Sequence, residues 1–172
     1  MAVTRCDMPR SCTFSGDRDT YYYWDCFETS LGRPDLSAQE IYLEIFSHFP
    51  QWAKSLLLLR NKIVSTFGIR GPTSAELDGL KVKQSYVAGD KIALFTLFSQ
   101  SVDELVAGGD DKHLAFKVSV LKVAEPEATK VVLTTIVSPH NLFGRVYLFL
   151  ILPFHKFGVK TLMRNAVAAG RI

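Results

Sequence analysis

The sequence predicts an α+β fold: an antiparallel sheet of about six strands wrapped around a long C-terminal helix, with a helix pair after the first strand. Three observations carry this. Residues 138–168 read as one apolar helix with Pro153 inside it and no acidic residue. Ser37–Ala38–Gln39–Glu40 is a capping box that opens an earlier helical stretch. Between them, from residue 81 to 137, apolar residues recur with the period of strands, and connections of hairpin length demand antiparallel pairing.

Taken in order, residues 1–19 are polar and without period and are expected to form a loosely ordered extension, leaving 20–172 as a single domain. Thr20–Glu28 is rich in β-formers and reads as the first strand. After the Ser30–Pro34 break, Leu36 and Ile41 flank the capping box as a hydrophobic staple, and Ile41, Tyr42, Ile45, Phe46 and Phe49 fall on one helical face. Pro50 ends this helix and can open the next, which places Trp52, Leu56, Leu59, Ile63 and Phe67 at helical spacing up to Gly68. Val82–Val87 is a weak strand candidate, and Ile92–Gln100 is a stronger one. A short strand, Glu104–Ala107, leads into a Gly108–Asp111 turn. His113–Val123 alternates, with Leu114, Phe116, Val118 and Val120 on one face. Lys130–Val137 is the last strand. The helix that follows can be capped by Ser138 or Asn141.

A chain of 172 residues has the size of one domain and can bury a real core. The mean hydropathy of +0.13 is high for a soluble protein. A net charge of +3 gives no nucleic-acid-binding character. The charge is uneven, however. All 17 acids lie at or before Glu127, and six cations follow without a counter-charge. Cys6, Cys12 and Cys26 are odd in number and lack metal-ligand spacing, so neither a disulfide framework nor a metal site is expected. The N-terminus has no apolar core of a signal peptide, and a cytoplasmic setting is expected. The uninterrupted apolar run of the last helix, Val146–Phe154, is nine residues, short of the about 20 that a membrane span needs.

The element order is the helix-grip order of the START-like, or SRPBCC (birch-pollen-allergen-like), superfamily. Three stretches also resemble a bacterial family catalogued as domain of unknown function 2867. They are Leu56–Ile69, Gly109–Leu121 and Val132–Phe157, the last with His140, Asn141, Gly144, Arg145, Tyr147, Pro153, Phe154 and His155 as its most specific pattern. The resemblance covers roughly residues 20–167. It implies a START-like fold, and, because some members carry the domain behind a short-chain-dehydrogenase-like domain, a dehydrogenase-like partner. It implies no catalytic residue. Where members often have an acid two residues after His113, this chain has Ala115.

A helix-grip domain that holds a small apolar or amphipathic ligand would line its interior with Phe95, Leu97, Phe116, Val118, Tyr147 and Ile151, with Arg145 and His155 as polar anchors. Alternatives are a cyclase- or hydrolase-like enzyme, or an accessory or catalytic partner of the oxidoreductase. Asp110, Asp111 and His113 read as turn chemistry. Lys156, Lys160 and Arg164 form a basic stripe suited to weak contact with an anionic membrane surface, though the helix dipole alone accounts for them. No GxGxxG, P-loop, HExxH or nucleophile elbow is present, so no cofactor is expected.

Overall fold

The computed structural model describes residues 2–55, 58, 61, 83 and 85–172. Its framework is a seven-stranded antiparallel sheet with strand order β1-β2-β7-β6-β5-β4-β3. The strands are β1 (Thr4–Arg5), β2 (Tyr23–Ser30), β3 (Lys91–Ile92), β4 (Phe95–Gln100), β5 (Glu104–Asp110), β6 (Leu114–Ala124) and β7 (Thr129–Pro139). Helix α1 (Ala38–Phe46) lies between β2 and β3, and α2 (Leu142–Ala168) follows β7.

The capping box of α1 is formed as the sequence requires. The Ser37 hydroxyl accepts from the Glu40 amide, and the Ser37 amide donates to the Glu40 carboxylate at 2.8 Å. Ile41, Tyr42 and Ile45 are fully buried from this helix. They pack on the sheet face made by Phe27, Leu97, Leu105, Ala107, Val118, Val120, Val131 and Leu133, together with Val159, Leu162, Met163 and Ala166 of α2. Residues 51–55 are helical after Pro50, whose carbonyl accepts from Ala53 and Lys54. Leu56, Leu59, Ile63 and Phe67, expected on the second helix, lie outside the described residues.

Three local expectations are corrected, and one alternative is resolved. The Ile92–Gln100 strand is two strands, β3 and β4, joined by a two-residue turn with Ala93 at φ 49°. No Gly or Asn stands there to signal the turn. Gly108 and Gly109 lie inside β5 rather than in a turn. A Cβ on Gly108 would collide with the Phe116 backbone, and the Phe116 ring covers Gly109. The Val82–Val87 candidate is not a strand where it is described: residues 83 and 85–87 have no regular structure. Asn141, not Ser138, caps α2, because β7 keeps Ser138 and Pro139 paired with Ala115 and Leu114.

Residues 2–19 are not a loose extension. β1 pairs with β2, and Met8, Cys12 and Phe14 pack with Cys26, Val106, Leu121, Val132 and Ile136 against the sheet face turned away from α2. The Glu104 carboxylate anchors this cover by accepting from the Thr13 amide at 3.1 Å, the Thr13 hydroxyl at 2.6 Å and the Ser119 hydroxyl. The apolar residues of the segment follow no helical or strand period, and for that reason the pattern did not reveal them.

Candidate functional site

On the face of the sheet toward α2, β2 contributes Tyr23 and Asp25, and β7 contributes Thr135 directly opposite Asp25. Asp25 is fully buried. A carboxylate in such a place is tolerated only with partners. The Tyr23 hydroxyl donates to Asp25 Oδ2. His155 Nε2, reaching down from α2, lies 3.4 Å from the carboxylate oxygens. Burial raises the Asp25 pKa, but the hydrogen bond and charge of His155, the Tyr23 hydroxyl and the Lys156 charge outweigh it and hold the carboxyl below its ordinary range. Burial and the neighbouring Asp25 carboxylate push the Tyr23 phenol well above its ordinary value, so it stays a donor. The Lys156 ammonium sits 5.7 Å from the centre of the Tyr23 ring and closes this side of the cluster.

Four buried hydroxyls find no hydrogen-bond partner among the described residues: those of Thr29, Tyr42, Ser47 and Thr135. Thr135 is the one that stands beside Asp25. Around the same end of α2, Tyr23, Phe116, Tyr147, Ile151 and Leu152 are half-buried and pack on Leu114, Val137 and Leu148. The result is a polar cluster beside an apolar, half-buried patch where the helix meets the sheet.

The residues expected from sequence are distributed as follows. Leu97 and Val118 are packed core, 1% and 5% exposed. Phe95 and Phe116 are half-buried and meet edge-to-face at 5.0 Å. Tyr147 and Ile151 join Phe116 in the half-buried apolar cluster, and His155 meets Asp25. Arg145 does not join them. It is exposed, with its guanidinium 5.5 Å from the centre of the Tyr22 ring. The basic stripe is also divided. Lys156 and Lys160 lie over Tyr23 and Phe27, while Arg164 is exposed. No basic residue occupies the last turn of α2, so the helix dipole, which acts within that turn, does not account for the stripe. Asp111 is a turn former, accepting from the His113 and Leu114 amides. His140 pairs with Asp110 at 2.8 Å. An open groove of about 270 Å³ lies on the other side of α1, lined by Arg33, Leu36, Glu40, Leu43, Glu44, Ser47 and His48.

Sequence reasoning missed Asp25, Tyr23 and Thr135. One signal was present: a single acid in an otherwise apolar and aromatic stretch of β2, at a position the alternation turns inward with Phe27. Among the described residues no group of three or more His, Cys, Asp or Glu side chains could hold a metal ion.

An open antiparallel sheet covered on one face by a long C-terminal helix, with a buried acid paired to a half-buried histidine of that helix, defines the class: an α+β domain consistent with a helix grip. Residues 18–162 match the family described as "Protein of unknown function (DUF2867)", and the chain belongs to that family. No curated protein and no solved structure matches it.

Proposed function

We propose that this is a START-like domain that binds a small amphipathic molecule between α2 and strands β2, β7 and β6. The observation that carries the proposal is the buried Asp25 held by half-buried Tyr23 and His155, with the unpartnered Thr135 hydroxyl beside it. Buried polar groups in native proteins are nearly always paired, so a hydroxyl left over next to a carboxylate with acceptor capacity to spare suits a ligand's hydroxyl or amino group. Phe116, Tyr147 and Ile151 offer the apolar body of such a ligand its contacts. The strand order, with α1 between β2 and β3 and the long helix after β7, supports the START-like reading.

Thr135→Val tests this. Removing an unpartnered buried hydroxyl for a methyl of the same shape leaves thermal stability unchanged or raised. If Thr135 holds a ligand, the same change lowers retention of small molecules that co-purify with the protein, read by native mass spectrometry. Retention equal to wild type, or no co-purifying molecule in either, would count against the site.

A second reading rests on the geometry of one pair. Asp25 orients the His155 ring through Nε2, the arrangement a general base requires. In that case the molecule bound is also converted, and His155→Gln keeps it bound but unconverted.

A further inference from the structure

The outward face of α2 is as apolar as its inward face. Leu142, Val146, Phe149, Leu150, Phe154 and Phe157 follow i, i+4, i+7, i+8, i+12 and i+15 and are 52–76% exposed. At about 1.5 Å per residue they form a stripe roughly 22 Å long. Soluble monomers seldom show a contiguous apolar surface of this kind without a partner for it. The stripe has distinct borders. Arg145, Lys156 and Lys160 flank it on the β2 side, and Trp52, its ring 5.2 Å from Phe157, flanks it near the middle of the helix.

We infer that this face docks on an anionic lipid bilayer, with the six apolar side chains at acyl-chain depth and the flanking cations at the headgroups. Charge selects a bilayer over a protein partner. After Glu127 the chain holds Lys130, Arg145, Lys156, Lys160, Arg164 and Arg171 and no acid, so the whole helix approaches a negative surface without repulsion. Aromatic Trp52 and cations whose stems lie along apolar surface belong at such a boundary. By length and composition α2 could also cross a bilayer. A crossing would strip Leu148, Val159, Leu162 and Met163 from the core and carry His155 away from Asp25. Lying in the interface keeps both, because the docking stripe and the buried face are on opposite sides of the helix.

The experiment is flotation of the full chain with phosphatidylcholine vesicles and with vesicles of about equal phosphatidylcholine and phosphatidylglycerol. Binding to the anionic vesicles is expected, weakening as salt rises from about 0.1 M to about 1 M and the Debye length shrinks from about 10 Å to about 3 Å. Phe149→Ser with Phe154→Ser is expected to lower binding about tenfold or more without lowering the melting temperature, since both side chains are in water in the free protein. Arg145→Glu with Arg164→Glu is expected to abolish the preference for anionic lipid. Failure to float with either vesicle, or binding that the Phe149/Phe154 change leaves intact, overturns the inference. So does a dimer in sedimentation that this change dissolves, because the face would then be an interface between copies of the chain. None of these outcomes bears on the Tyr23–Asp25–His155 cluster.

Discussion

Asp25 is the residue whose environment departs furthest from what its chemistry prefers. It is held in the core by Tyr23 and His155, and both lose a charged partner if it is neutralised. Because the folded carboxyl titrates below its ordinary value, its contribution is fully present above the unfolded value of about 3.9 and is lost as pH falls through the folded value. Asp25→Asn should therefore cost about 2 kcal/mol near neutral pH. The gap to wild type in urea unfolding should close as the pH is lowered below about 4. A constant gap down to about pH 2 would mean that the carboxylate charge contributes nothing. The cysteines give a second test at this scale. The Cys26 thiol hydrogen-bonds to Cys6 and lowers the Cys6 pKa, whereas burial raises that of Cys12, and the bond to Cys6, with burial, raises that of Cys26. Half-buried Cys6 should react first with iodoacetamide in the native protein, as peptide mass mapping would show.

At the scale of elements, the junction of β7 and α2 is the tightest point. The Asn141 side chain accepts from the Gly144 amide at 3.0 Å to cap α2, and its amide donates to the Lys112 carbonyl at 2.9 Å, tying the helix start to the β5–β6 turn. Gly144 lies so close to that turn that a Cβ would overlap the His113 carbonyl oxygen. Gly144→Ala should thus cost about 2 kcal/mol or more, read as a drop in melting temperature, although alanine is the better helix former. Pro153 sits mid-helix and α2 continues through it. It lies on the solvent side of the helix.

At the scale of the whole molecule, the sheet has a core on each face, one beneath α1 and α2 and one beneath the N-terminal segment. Deleting residues 2–20 would bare Cys26, Val106, Leu121, Val132 and Ile136 at once. The shortened chain should be insoluble or molten, with loss of near-ultraviolet dichroism; a soluble domain with native dichroism would refute the second core's importance. The N-terminal segment was illegible in the sequence because irregular chain that packs by individual side chains has no period to detect. The capping box of α1, the alternation of β6 and the long last helix were legible because each rests on local spacing. The candidate site was half legible: His155 stood out as a polar mark on an apolar helix, but its partner is 130 residues away.

The sequence by itself determined the fold class, the family and the helical nature of residues 142–168, since periodicity, caps and motif spacing are properties of neighbouring residues. Only the tertiary structure decided that Asp25 meets His155, that Arg145 turns away from them to Tyr22, and that an apolar stripe of α2 remains in water. Those outcomes depend on how far α2 is rotated against the sheet, and rotation is set by long-range packing that no local pattern encodes.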